Sequence, residues 1–213
     1  GIGRAIVIRL AKEGYRVITC GRQIDKLMIL KEELQSQGYT VFPIETDLRS
    51  EDSINQLFAK IRNEFGSLDV LINAAAVGYK APLSTSSSDL WNEMLSVNII
   101  ALCICSREMI KDLNDKKLKG HIVNISSVHG KLGFPGHSVY ASTKGAINSF
   151  TKQLSVELIS KHIRVNAIAP GTIEVPSYFE KDPSYNREFG NSLVPWGRVG
   201  LPEEVGSLAA YLV

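Results

Sequence analysis

Apolar and polar positions along this chain switch between a helical period and short apolar runs, and the switch repeats almost to the end. Residues from about 4 to 13 set Ile6 with Leu10 and Val7 with Ala11 one turn apart, which predicts a helix that Gly14 is placed to end. R-V-I-T-C, at 16–20, follows as a strand. A second helix is predicted from about 23 to 37, closed by Gly38, and Y-T-V-F-P-I, at 39–44, is the next strand. The clearest helix comes after it. Ser50 can cap it, Glu51 and Asp52 suit its positive end, and Ile54, Leu57, Phe58, Ile61 and Phe65 form one apolar stripe before Gly66. L-D-V-L-I-N, at 68–73, is a strand that runs into N-A-A-A at Asn73 to Ala76. From Asp89 to about Leu113 runs a long helical pattern, with Trp91, Leu95 and Leu102 as apolar anchors and Asn98 near its middle. H-I-V-N-I-S, at 121–126, reads as a buried strand, and a helix from Tyr140 to about Ser160 leads to the strand I-R-V-N-A-I-A at 163–169. Residues from about 172 to 195 lose the period. They are polar and aromatic, with Pro176, Tyr178, Phe179, Pro183 and Tyr185, as suits a substrate lid, before Pro202, Glu203 and Glu204 open a last helix.

Alternating strands and helices predict the α/β class, a doubly wound parallel sheet with ligands at the C-terminal edge of its strands. With 213 residues, 44% of them hydrophobic, one domain spanning 1–213 can bury a sizeable core. The net charge of +2 is small and the basic residues are dispersed, which argues against a nucleic-acid partner. Lys116, Lys117 and Lys119 read as a solvated loop. Cys20, Cys103 and Cys105 have neither the even count of a disulfide framework nor metal-ligand spacing, so they are expected in the core, in a reducing compartment, with no metal site. No apolar run reaches transmembrane length. A cytoplasmic location is expected, and a targeting peptide stays open because the chain begins inside a motif.

Chemistry concentrates between Ser126 and Lys144, S-S-V-H-G-K-L-G-F-P-G-H-S-V-Y-A-S-T-K. On a helix, the four-residue spacing of Tyr140 and Lys144 puts the phenol and the ammonium on one face, one turn apart. A phenol of pKa about 10 must be lowered by roughly 3 units, about 4 kcal/mol, to act as a base near neutrality. A unit positive charge about 4 Å away, at an effective dielectric of about 20, supplies roughly that much. The same spacing is common on exposed helices without function, so context decides. Here a strand delivers Ser126 and Ser127 to its end, where an open α/β sheet places ligands.

S-S, then Y-A-S-T-K, then R-V-N-A-I-A-P-G resembles the short-chain dehydrogenase/reductase family, and the resemblance extends over essentially the whole chain. It implies a Rossmann-like fold that carries oxidoreductase chemistry. In that family a serine thirteen positions before the tyrosine orients the substrate carbonyl, which is Ser127, and an asparagine on the preceding helix matches Asn98 in S-V-N-I-I-A. The catalytic set implied is Asn98, Ser127, Tyr140 and Lys144. G-I-G-R-A-I resembles the end of the family's T-G-x-x-x-G-x-G phosphate loop, so Gly1, Ile2 and Gly3 are expected at the cofactor pyrophosphate. Relative to the family, both ends are expected to be incomplete. Arg22, with Gly21 rather than an acid beside it, points to NADP(H), with NAD(H) as the other possibility; the plain reading of Arg22 is an exposed residue at a helix start. Asp47 and Leu48 match the family's adenine contact, although a turn or capping aspartate explains Asp47 nearly as well.

Asn73, Ala74 and Ala75 stand where the family usually has N-N-A-G, and Pro170, Gly171 and Ile173 where backbone meets the nicotinamide. Val175 replaces a common threonine and has no hydroxyl. Tyr140 and Lys144 also belong to the cofactor set. The substrate implied is a small carbonyl or alcohol, as in members that reduce 3-oxoacyl carrier proteins or oxidise sugars and polyols, and the assembly a homodimer or homotetramer. Two rivals remain in view. N-A-A-A and Val175 fit a dinucleotide-binding regulatory protein without turnover, and a serine hydrolase lacks its G-x-S-x-G elbow, leaving His129 and His137 to the loop.

Overall fold

The computed structural model describes residues 1–116, 119–181 and 184–213; Lys117 and Pro183, named above, lie outside the described residues. Helix and strand alternate as the apolar pattern requires: α1 (Ile2–Lys12), β1 (Val17–Gly21), α2 (Ile24–Ser36), β2 (Val41–Glu45), α3 (Glu51–Phe65), β3 (Val70–Asn73), α4 (Ser88–Leu95), α5 (Ala101–Lys116), β4 (Gly120–Ile125), α6 (Ser138–Glu157), β5 (Ile163–Ile168), α7 (Pro176–Lys181), α8 (Arg187–Ser192) and α9 (Pro202–Leu212). This is an α/β, Rossmann-like fold with parallel strands. The chain divides into two compact units. One comprises Gly1–Thr19, Gln23–Pro43 and Pro170–Tyr211, the other Cys20–Arg22, Ile44–Ala169 and Leu212–Val213.

The second unit is built on β3, β4 and β5, paired in parallel in that order with Asn73 opposite Asn124 and Ile125 opposite Ile168. Parallel strands need crossovers and are covered on both faces, so β4 reads as a continuous buried run. Ile122, Val123 and Asn124 are inaccessible to solvent. Asn124 is polar at that depth, and each end of its amide is used: Asn73 donates to its oxygen at 2.8 Å and its nitrogen donates to Thr151 at 3.0 Å. Helix α3 forms as its sequence predicts. The Ser50 hydroxyl accepts from the Ser53 amide at 3.2 Å, Ile54, Leu57, Phe58 and Ile61 are buried, and Gly66 leaves the helix at φ 87°, where a Cβ would be strained. Arg62 on α3 reaches α5, donating to Asp112 at 2.6 Å and Glu108 at 2.7 Å, both carboxylates buried.

The long helix expected from Asp89 is interrupted. Between α4 and α5, residues Ser96–Ile100 take a wider π-helical turn. Met94, Val97, Asn98, Ala101 and Leu102 are buried, while the expected anchor Leu95, the last residue of α4 before that turn, is 44% exposed. Cys105 lies in the core as expected, whereas Cys20 and Cys103 are half-buried at its margin.

In the first unit, α1 packs against α9 closely enough that a Cβ on Gly206 would lie 2.9 Å from the Ala5 carbonyl oxygen. Strands β1 and β2, each of which begins in the first unit and ends in the second, form a two-stranded sheet. The segment at 172–195, unstructured by pattern, contains α7 and α8, with Tyr185 ringed edge-on by Tyr178, Phe179 and Phe189. No helix of the described residues is long and apolar enough to cross a membrane.

Candidate active site

Strand β4 ends against helix α6 through a reciprocal pair of bonds. The Lys144 ammonium donates to the Ile125 carbonyl at 2.9 Å, and the Ser126 hydroxyl donates to the Lys144 carbonyl at 3.0 Å. Lys144 is thereby 2% exposed, and burial pushes its pKa down to about 8. It stays mostly protonated at neutral pH. Its nitrogen lies 5.6 Å from the centroid of the Tyr140 ring, one turn earlier on the same helix. At that separation, and an effective dielectric of about 20, a unit charge favours an anion by about 3 kcal/mol.

Ser126 and Ser127 are both buried, but their hydroxyls differ in use. Ser126 donates its hydrogen bond to the Lys144 backbone carbonyl, whereas Ser127 accepts from the His129 amide at 3.2 Å and donates to no group among the described residues. The loop they open lies directly on α6: a Cβ on Gly130 would come within 2.8 Å of the Lys144 carbonyl oxygen and 2.6 Å of Asn148. Only glycine permits that approach.

Asn98 is 1% exposed in the π-helical turn, and its amide is fully occupied. Its oxygen accepts from the Val77 amide at 2.8 Å, while its nitrogen donates to the Val77 carbonyl at 2.9 Å and to Thr143 at 3.0 Å. Thr143 in turn donates to the Tyr140 carbonyl at 2.8 Å. Asn98 thus joins the segment after β3 to the turn of α6 that carries Tyr140. The ring of Tyr140 lies over Gly78, where a Cβ would meet it at 3.0 Å. The second unit therefore brings Asn98, Ser127, Tyr140 and Lys144 around one strand end.

The expected cofactor residues are distributed as follows. Gly1 precedes α1, Ile2 and Gly3 lie in its first turn, and that turn has neither a side-chain cap nor an acid, so its amides are suited to a phosphate. A Cβ on Gly1 would lie 3.5 Å from Val175, so in the first unit the glycine turn adjoins the segment after Pro170 and Gly171. Ile173 bridges Gly200, but the bonds run from Gly200 N–H to Thr172 and from Glu174 N–H to Gly200, leaving the amide and carbonyl of Ile173 outside the ladder. In the second unit Arg22 is exposed and makes no ion pair among the described residues, so a 2′-phosphate would not have to displace a carboxylate. Within its own unit each is suited to an anionic group, the α1 turn through its amides and Arg22 through its guanidinium.

Two expected cofactor contacts carry other duties. The Asp47 carboxylate is held by Arg49, whose Nε donates at 2.9 Å and whose own amide donates at 2.9 Å, and these bonds set its pKa at about 2. The turn role left open in the sequence is thus present, with Leu48 half-buried beside it. The Asn73 side chain is spent on Asn124, and Ala74 and Ala75 follow with Ala75 exposed. Sequence spacing did not reveal Gly130 or Thr143, because their partners Lys144 and Asn98 stand far off in the chain, and it did not single out Arg49 or the ring cluster at His129. His129 stacks on Phe134 at 4.3 Å and meets His137 at 4.7 Å and Tyr140 at 5.4 Å, edge-on.

A strand-end serine, a Tyr–Lys pair one turn apart and a helix-opening asparagine on a parallel α/β fold define a dinucleotide-dependent oxidoreductase class. The family profile described as short chain dehydrogenase matches residues 1–185, and the chain belongs to that family. It is 35% identical over 212 residues to a 3-oxoacyl-[acyl-carrier-protein] reductase of Thermotoga maritima, covering 100% of this chain and 85% of that protein. It is 35% identical over 187 residues to the dehydrogenase/reductase SDR family member 11 of Gallus gallus, covering 84% of this chain and 73% of that one. Among solved structures, a variant of actinorhodin polyketide ketoreductase with NADPH superposes with a TM-score of 0.92 and 32% identity, over 100% of this chain and 85% of the other.

Proposed function

We propose that the chain transfers a hydride reversibly between NADP(H) and a small carbonyl or secondary alcohol. One observation carries this reading: the bonds joining Lys144 to Ile125 and Ser126 hold a buried ammonium beside the Tyr140 ring at the strand end that also carries Ser127. When bound, the dinucleotide supplies or accepts the hydride. Tyr140 gives its hydroxyl proton to the substrate oxygen in reduction and takes it back in oxidation. Ser127 donates a hydrogen bond to that oxygen. Lys144 favours the phenolate and offers its remaining N–H groups to the nicotinamide ribose. Asn98 fixes Val77 and Thr143 and supports the relay that returns a proton to the tyrosine.

Arg22, exposed and in no close ion pair among the described residues, supports NADP(H) over NAD(H), as does the NADPH in the related ketoreductase. The names of the relatives, a 3-oxoacyl carrier-protein reductase and a polyketide ketoreductase, favour reduction of a carbonyl. The segment at 172–195 serves as substrate lid in this reading. A homodimer or homotetramer is the assembly expected of the family, and light scattering measures it. The function is tested by following NADPH consumption over a panel of ketones and aldehydes. Turnover of at least one supports it; tight NADPH binding without turnover of any carbonyl or alcohol would leave the regulatory reading instead.

A further inference from the structure

Beside Tyr140 lies a group of basic side chains that the proposed mechanism does not use. His129 and His137 have their ring centroids 5.4 and 6.3 Å from that of Tyr140. Lys80 is the third member. The Ala81 amide bonds the Gly136 carbonyl at 2.9 Å, and a Cβ on Gly136 would lie 3.2 Å from Lys80 Cγ, so the lysine stem rests beside the residue preceding His137. His137 itself precedes α6, a 20-residue helix whose N-terminus no side chain caps and whose first turn holds no acid. The Nδ1 of His129 is buried without a hydrogen-bond partner among the described residues.

Lys80 is a cation, and each imidazole becomes one when it is protonated. Burial, and next the charge of His137, hold the His129 imidazole below its usual pKa, and burial followed by the charge of Lys80 does the same to His137. An anion placed among them would favour the protonated imidazoles, offset the Lys80 charge and gain the helix dipole.

We propose that Lys80, His129, His137 and the N-terminal end of α6 form a subsite for the carboxylate of an oxo-acid or hydroxy-acid substrate reacting at Tyr140. The inference rests on the function proposed above and names its substrate class. With carbon–carbon bonds of about 1.5 Å, a carboxylate one or two carbons from the carbonyl sits about 3 to 5 Å from the reacting oxygen, within the span of this ring cluster. The carboxylate keeps its charge and makes no bond; only the carbonyl is reduced.

Rates with NADPH should be compared for 2-oxobutanoate and 3-oxobutanoate against their methyl esters, in the wild type and in Lys80→Gln and His137→Gln. At least one acid should exceed its ester in kcat/KM by about tenfold, as one charge-assisted contact provides, and that ratio should shrink in both variants, mainly through KM. Esters turned over as well as acids, or a ratio unchanged in both variants, would overturn the subsite. A second readout needs no turnover. In the complex with NADP, 3-hydroxybutanoate should move the His129 and His137 imidazole proton signals to titrate at higher pH, while its methyl ester leaves them in place. Equal titration with acid and ester would overturn the subsite even if the chain proved to be an active ketone reductase, whereas failure to reduce any ketone bears on the function and leaves this binding result to stand or fall separately.

Discussion

Lys144 holds an ammonium almost wholly out of water against a single backbone carbonyl, and that environment sets both its chemistry and its cost. With its pKa lowered to about 8 by burial, the folded chain releases the proton well below the value of about 10.4 expected unfolded. A depressed folded pKa contributes stability that is fully present above the unfolded value and is lost as pH falls to the folded one. The slope between them is at most about 1.4 kcal/mol per pH unit. Urea unfolding from pH 7 to 10 should show the wild type gaining on Lys144→Met above about pH 8; parallel curves would mean that the lysine is not buried as a cation. The adjacent serines separate by substitution. Ser127→Ala should reduce turnover by about a hundredfold or more, since it removes a donor to the developing oxyanion. Ser126→Ala should chiefly lower stability, by about 1 kcal/mol, because it removes the bond to Lys144. A larger loss of turnover in Ser126→Ala would reverse the assignment. The expectation for Ser127 rests on the family resemblance, which sets its distance from Tyr140; periodicity does not separate it from Ser126. Spacing could not reveal Thr143 or Gly130, whose roles exist only because Asn98 and the Lys144 backbone stand opposite them.

Helices and strands with one dominant face were legible for a simple reason: burial imposes its period on the sequence, as the stripe of α3 and the unbroken run of β4 show. The π-helical turn was not. It is held by bonds from Asn98 to Val77 and Thr143, and an inserted residue leaves no mark on local composition. Short α7 and α8 were missed because six residues do not establish a period. The link between α3 and α5 is a different kind of device. Burial alone would raise the Glu108 pKa, but bonds from Arg62, Lys111 and Arg107 hold it at about 2. Its contribution is present above about pH 4.5 and lost as pH falls towards 2. Arg62→Met should cost about 2 kcal/mol at pH 7, less than for a fully buried pair because the arginine is one-third exposed and two other cations remain. Thermal unfolding should show that deficit shrinking at pH 3. An equal deficit at both pH values would contradict the ion-pair account.

Across the whole molecule, the alternation of strand and helix was enough to give the α/β class and parallel pairing, since crossovers leave few other arrangements, while the β3–β4–β5 order is legible only in the structure. That the strands lie in two sheets was not legible from period. The small net charge of +2 also says little about ligands; the local charge at Arg22 says more. A planar guanidinium pairing with a 2′-phosphate should favour NADPH over NADH by roughly tenfold to a hundredfold in kcat/KM, and Arg22→Ala should reduce that ratio about tenfold. A wild-type preference for NADH would contradict the cofactor assignment. The central claim, hydride transfer with proton exchange at Tyr140, is tested most directly by Tyr140→Phe, measured for circular dichroism, NADPH affinity and single-turnover rate on the best ketone of the panel. The fold and NADPH affinity should be retained while the rate falls by about two to four orders of magnitude; a folded, NADPH-binding variant that turns over at the wild-type rate would contradict it.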